Sequence, residues 1–253
     1  MTSARRPLAL HLSTAVAMPQ AAMVLAAGLG KRMRPLTATR PKPLVRVAGR
    51  TLLDHALANV AAAGIARAVV NVHYLAGQVE AHLVRNTHGL DIRVSDERAA
   101  LLETGGGVTK ALSRIDADPF FVVNSDNLWV DGAVNTLRSL AACWDPERMD
   151  ALLLLVPLAR AHGYTGFGDF HMDALGRLRR RQPPRLAPFA FSGIQLLKAA
   201  LFEDVPDGAF SLNLIYDRAL ATGRLFGATH GGLWFHVGTP AAVTETEAIL
   251  DAN

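Results

Sequence analysis

Four short stretches of this chain gather residues suited to holding phosphate. The first, LAAGLGKRMRPLT, runs from Leu25 to Thr37. Its small residues Ala26, Ala27 and Gly28 let a nucleobase and phosphates come close to the backbone, and Gly28 and Gly30 permit tight turns. Successive amides in such a loop form an anion-binding nest. Lys31, Arg32 and Arg34 add cations for a triphosphate. The spacing is not that of GxxxxGK[ST], nor of GxGxxG, because Met33 stands where a third glycine is needed. Taken alone, the stretch is equally an ordinary surface loop with solvated charges.

The second stretch is RPKPLV, Arg40 to Val45. Pro41 and Pro43 fix the backbone around Lys42, so the ammonium loses less entropy on meeting a phosphate. The bland alternative is a rigid turn with an incidental lysine. The third is Asn124 to Asp126, directly after PFFVV. Ligands of parallel sheets lie beyond the carboxyl ends of the strands. Asp126 therefore stands where a hard divalent cation is held against phosphate oxygens, and Mg2+ commonly takes one or two carboxylates plus substrate phosphates. Alternatively Asp126 caps the next segment, or Asn124 holds the turn. The fourth is LETGGGV, Leu102 to Val108. Three glycines after Thr104 permit close approach of a flat base or ribose, and Glu103 accepts hydrogen bonds from ligand hydroxyls or orients the loop. A flexible linker is the other reading.

Hydrophobic patterning supplies the elements that position these stretches. AAMVLAA reads as a compact buried strand leading into the first loop. TLLDHALANVAAAG has helical periodicity, with Leu53, Ala56, Leu57 and Val60 on one face and Gly64 as its stop. RAVVNV is a strand, AGQVEAHLVRN a helix, DIRVSDE a strand, and LLETGGGVTKAL a loop entering a helix. PFFVVNSD is a buried strand, residues 134–143 a looser helix, and DALLLLVPL a further strand. Buried runs alternating with helices predict a three-layer α/β sandwich with a mostly parallel sheet. After Pro157, GFGDFHMDALGRLRRRQ reads as a hairpin, and short strands recur at FAFSGIQLL, RLFGATH and LWFHVG. SLNLIYDRALATG is a helix capped by Ser211. The last helix is capped by Thr239, with Pro240 in its first turn.

Composition narrows the function classes. The 253 residues suit one α/β domain, assigned to 21–253 behind an N-terminal extension, 1–20. Arg5 and Arg6 precede an apolar stretch that His11, Ser13 and Thr14 interrupt, so an extension is expected rather than a secretory signal, with Met18 as a candidate start. The net charge of +4 comes without the cationic stripe and aromatic platforms that nucleic acid requires. No run approaches the roughly 18 apolar residues of a membrane span. The lone Cys143 excludes an intrachain disulfide, is expected as a buried spectator, and fits a reducing, cytoplasmic location.

From about Ala21 to its end, the chain resembles the nucleotidyltransferases that make nucleotide-sugars. LAAGLGKRMRPLT, RPKPLV and the strand-terminal Ser125-Asp126 carry the resemblance, in that order. It implies a Rossmann-like fold with a mixed, mostly parallel sheet and a sugar-side elaboration over 157–240. It also implies that the sugar-1-phosphate oxygen attacks the α-phosphorus of a nucleoside triphosphate in line. Pyrophosphate leaves, with no protein nucleophile. Leu25 to Gly28, Gly30, Lys31 and Arg32 would face the nucleotide, with Glu103, Thr104, Gly105 and Asn124 beside its base and ribose. Arg32, Lys42 and Asp126 would form the catalytic set, Asp126 holding Mg2+ or Mn2+. Gly168, Asp169, Phe191, Ser192, Gly193 and Asn213 would approach the sugar. The enzyme would be a monomer or small homo-oligomer.

Within the family, LETGGG departs from the LGTAG-like segment of mannose-1-phosphate guanylyltransferases. It looks much like compact bacterial uridylyltransferases acting on N-acetylmuramic acid 1-phosphate in cell-wall recycling, which makes UTP the expected nucleotide. A guanylyltransferase or another hexose-1-phosphate enzyme is the alternative, and a non-catalytic nucleotide-sugar sensor is a third reading. One position departs from the family: an aspartate that usually precedes VGTP and helps hold the metal is here His236. Imidazole is a poorer Mg2+ ligand than carboxylate. His236 is therefore expected near the phosphates but outside the metal's inner shell; the alternatives are that it binds a softer ion such as Mn2+, Co2+ or Zn2+, or that, protonated, it contacts phosphate directly.

Overall fold

The computed structural model describes residues 17–252. Residues 1–16 of the expected extension lie outside the described residues. The core is one nine-stranded sheet. Strands Asp91–Asp96, Arg67–Val72, Ala21–Leu25 and Phe120–Asn124 lie side by side, all parallel. Phe189–Leu197 runs antiparallel to Phe120–Asn124 and to Ala151–Pro157, and Leu225–Thr229 joins Ala151–Pro157 in parallel. The hairpin Phe170–Met172 and Leu178–Arg180 extends the edge through Phe170 and Phe189. The sheet is thus mixed, because the segment after Pro157 returns along one long antiparallel strand.

Both faces are covered, as the unbroken apolar strands require. Along the first strand, Ala22 and Val24 face one core, and Ala21 and Met23 the other. Helices Leu52–Ala62, Ala76–Arg85 and Thr136–Ala142 close the first face through Leu57, Val79 and Leu140. Helices Glu103–Ile115 and Asn213–Ala221 close the second through Val108, Ile115 and Ile215. A third cluster around Met33, Val47, Phe235 and Val237 seats the final helix, Pro240–Asp251, and anchors the loop after the first strand.

Local chemistry sets the helix starts. Thr51 and Thr239 accept hydrogen bonds from the amides of Asp54 and Ala242, capping their helices. Ser211 lies one residue further out than expected: its hydroxyl accepts from Asn213, the first helical residue, and the capping position itself is Leu212. Cys143 also departs from expectation. It ends the short helix Thr136–Ala142 on the exposed side, because Leu137 and Leu140 take the buried face.

Candidate active site

Two adjoining hollows open at the carboxyl ends of the parallel strands. The larger, about 390 Å³, is lined by Leu25 to Gly28, Lys42, Pro43, Asn71, Leu101, Glu103, Thr104, Asn124 to Asp126 and Ser211. The smaller, about 200 Å³, is lined by Gly28, Gly30, Lys31, Arg32, Met33, Lys42, Asp126 and Gly238. Gly28, Lys42 and Asp126 line both.

The first loop reaches this position through its backbone. Gly30 has φ 61°, and a Cβ there would meet Lys42 Cβ at 3.0 Å and Thr37 Cγ2 at 3.1 Å. Only glycine lets the loop close so tightly on Lys42. The Thr37 hydroxyl donates to the Gly30 carbonyl, and buried Met33 pins the following turn into the third core cluster.

Lys42 sits in a short 3-10 turn between its two prolines and is largely buried. Its ammonium donates to Asp126 Oδ2 at 2.9 Å. Burial works against the Asp126 charge, but the adjacent Lys42, with His236 and Arg32 further off, holds the carboxyl below its ordinary value. Asp126 is therefore an anion near neutral pH, already engaged by the lysine expected to meet phosphate. Among the described residues no three His, Cys, Asp or Glu side chains converge as a metal cage. One carboxylate fits a hard divalent ion only when phosphate oxygens complete its ligands.

His236 pairs in register with Asn127 at the end of strand Leu233–His236. Asn127 Nδ2 donates to the Ser192 carbonyl at 2.9 Å, which turns Oδ1 toward His236 Nδ1 at 3.0 Å. The proton of the neutral ring therefore belongs on Nδ1, leaving Nε2 as an acceptor. Nε2 faces Gly238, where an added Cβ would lie 2.7 Å from it and 3.5 Å from an Arg32 guanidinium nitrogen. Burial pushes the His236 pKa down; Asp126 opposes this, and Lys42 and Arg32 reinforce it.

Of the residues expected at the sugar, Asp169, Phe191, Ser192 and Gly193 are linked through hydrogen bonds and the strand Phe189–Leu197. Strand Phe189–Leu197 is irregular between Phe191 and Gln195, and Gly193 there has φ 83°. A Cβ on Gly193 would lie 2.4 Å from Asn127 Nδ2 and 2.9 Å from Asn124 Cβ. This bulge seats Ser192, whose carbonyl also accepts from Trp234 Nε1. Asp169 Oδ2 accepts from the Phe191 amide at 2.8 Å. Gly168 is buried with φ 77° against the Ala187 carbonyl, which positions Asp169. None of the six, Gly168, Asp169, Phe191, Ser192, Gly193 or Asn213, lines either of these hollows, and Asn213 is exposed.

The glycines of LETGGG serve differently from expectation. They are the buried first turns of helix Glu103–Ile115, neither a loop nor a linker. A Cβ on Gly105 would lie 2.3 Å from the Phe210 ring, on Gly106 2.1 Å from the Gly208 carbonyl oxygen, and on Gly107 2.7 Å from Glu97 Oε1. They let protein, not ligand, approach the helix. Gly105 donates its amide to the Phe210 carbonyl, and the hollow is lined by Glu103 and Thr104 instead.

Sequence reading also missed a buried polar bridge. Asn71 Oδ1 accepts from the Ala26 amide at 2.6 Å, and Asn71 Nδ2 donates to Glu97 Oε1 at 2.7 Å. Glu97 Oε2 accepts from the Leu102 amide at 3.1 Å. Asn71 and Glu97 are 2% and 0% exposed, so this chain ties the first loop to the segment entering Glu103 inside the protein. The only sequence signal was two polar residues terminating adjacent buried strands.

Comparison with known proteins places this geometry in a class. Residues 21–180 match the Nucleotidyl transferase family model, and the chain belongs to that family. It is a sugar-1-phosphate nucleotidyltransferase, forming a nucleotide-sugar. It is 47% identical over 235 residues to an N-acetylmuramate alpha-1-phosphate uridylyltransferase of Caulobacter vibrioides, covering 92% of this chain and 97% of the relative. It is 35% identical to a protein of the same description from Neisseria meningitidis serogroup B, covering 91% and 98%. The fold matches a solved UDP-glucose pyrophosphorylase complexed with UDP-glucose, with TM-score 0.77 at 15% identity, covering 93% of this chain and 99% of that one. No helix among the described residues is long and apolar enough to cross a membrane.

Proposed function

We propose that the enzyme joins UTP to N-acetylmuramic acid 1-phosphate, giving the UDP-sugar and pyrophosphate, in the cytoplasm and as a monomer or small homo-oligomer. The observation that carries this reading is the meeting of the two hollows at Lys42 and Asp126. The larger takes base and ribose against Ala26, Glu103, Thr104 and Ser211, and the smaller takes the β- and γ-phosphates against Lys31 and Arg32. The α-phosphorus then lies at the junction. The two relatives named for this activity, matched nearly end to end, support the acceptor.

Lys42 leaves Asp126 for a non-bridging oxygen as charge grows in the transition state. Positioning of two anions supplies the remaining acceleration, without a protein nucleophile. A divalent ion, Mg2+ or Mn2+, on Asp126 and the phosphates would offset the repulsion between the substrates. Arg32 holds the leaving pyrophosphate, and His236 Nε2 stays beside Arg32, outside the metal's inner ligands.

A matrix of four nucleoside triphosphates against several sugar 1-phosphates, read by pyrophosphate release with and without chelator, tests this. UTP with N-acetylmuramic acid 1-phosphate should give the highest kcat/KM, and chelator should abolish it. Preference for GTP with mannose 1-phosphate would refute the substrate assignment. No turnover with any pair would favour a sensor.

A further inference from the structure

We infer that Arg181 is the acceptor-specificity residue, binding the carboxylate of a sugar phosphate that carries one. The inference rests on the proposed substrate, whose lactyl ether adds a carboxylate remote from the phosphate.

Arg181 follows strand Leu178–Arg180, and its amide donates to the Asp169 carbonyl at 2.8 Å. Asp169 in turn holds the Phe191 amide and accepts, at 3.4 Å, from the Tyr164 hydroxyl. Tyr164 neighbours Trp234, and Trp234 stacks with His236. Arg181 therefore lies at the far end of the wall that begins beside the phosphate hollow. The residue is partly buried, and its guanidinium sits over the exposed Phe167 ring, 5.9 Å from the centroid.

Its partners are too few for a structural arginine. The neighbouring Arg180 is committed to Asp217 at 2.6 Å and to the Asn213 carbonyl. Arg181 makes one side-chain bond, to the Arg185 carbonyl at 3.5 Å, and no carboxylate lies within ion-pairing distance among the described residues. The nearby Asp169 oxygen is already taken by Phe191 and Tyr164. A partly buried arginine without an anion gains from a ligand that brings one. Its planar fork suits a carboxylate, in two parallel bonds. An acceptor with phosphate at one end and carboxylate at the other matches cations at both ends of this wall, Arg32 with Lys42 and then Arg181.

The test compares kcat/KM, with UTP, for N-acetylmuramic acid 1-phosphate and N-acetylglucosamine 1-phosphate, which lacks the lactyl group. In Arg181→Ala the preference for the muramic acceptor should fall roughly tenfold or more, carried mainly by KM, and Arg181→Lys should restore part of it. Inhibition by the muramic acceptor and by its carboxamide gives the same comparison without needing turnover of the second sugar. Equal losses for both acceptors, or an unchanged preference, would overturn the inference. Absence of wild-type turnover with N-acetylmuramic acid 1-phosphate, beside turnover of another sugar phosphate, would instead overturn the proposed substrate.

Discussion

Asn71→Ala tests whether the buried bridge between the strand ends holds the larger hollow, the proposed nucleotide site, in shape. The substitution removes the acceptor for the Ala26 amide and the donor to Glu97. Both partners are enclosed, Glu97 at 0% and Ala26 at 5% exposure, so water does not readily replace what is lost. An orphaned buried amide costs about 1–3 kcal/mol, and a carboxylate more. The sum is about 3–5 kcal/mol, against total stabilities of about 5–15 kcal/mol for ordinary domains. Asn71 and Glu103 both line the larger hollow, so loosening their tie should weaken nucleotide binding more than the chemical step. Urea unfolding and a titration of UTP at saturating sugar phosphate measure the two effects. A variant within about 0.5 kcal/mol of wild type, with unchanged KM for UTP, would refute the reasoning.

Lys42→Ala should lower kcat by roughly a hundredfold or more while the fold persists, and near-wild-type pyrophosphate release would remove Lys42 from the chemistry. Gly106→Ala places a methyl 2.1 Å from the Gly208 carbonyl oxygen. Overpacking of about 1–3 kcal/mol should exceed the helix-propensity gain of about 1 kcal/mol, and the displaced Ser211 loop should raise KM for nucleotide. An unchanged unfolding midpoint would contradict this. Burial pushes the pKa of His55, His230 and His236 below the ordinary 6.5. The unfolded chain then binds more protons than the folded one just below that pH, so stability should fall on acidification through 6.5. Burial opposes the Asp54 charge, yet hydrogen bonds from His88, Thr51 and His82 bring its pKa down to about 2. Its contribution is present above about 4 and is lost only as pH falls toward 2. A Tm that stays flat from neutrality to about pH 5 would defeat the histidine assignment. Cys143→Ser should retain activity, since the thiol is exposed and lines neither hollow; loss of turnover in the folded variant would require another mechanism.

Much of the fold was legible because its signals are local. Unbroken apolar runs such as PFFVV need cover on both faces, and Thr51 and Thr239 mark helix starts by their own hydroxyls. The placing of Lys42 and Asp126 beside the strand ends was legible for the same reason, since the prolines around Lys42 and the apolar run before Asn124 are local signals. What stayed hidden depends on contacts across the sequence. The Lys42–Asp126 pair spans 84 positions, and the Asn71 bond to Ala26 spans 45. The glycines of LETGGG were visible, but not what they make room for: Phe210 and Gly208 lie about a hundred residues later, with no local pattern linking them. Cys143 was misplaced because a short helix shows too few turns to fix which face is buried.

The overlap of the two hollows at Gly28, Lys42 and Asp126 carries an evolutionary consequence. On the proposed assignment, residues around Glu103, Thr104 and Ser211, or along the wall from Phe191 to Arg181, can be exchanged without disturbing the junction those three residues form. The same assignment lets base preference and sugar preference drift separately while the joining step stays intact. On this scaffold a change of substrate is a change of periphery.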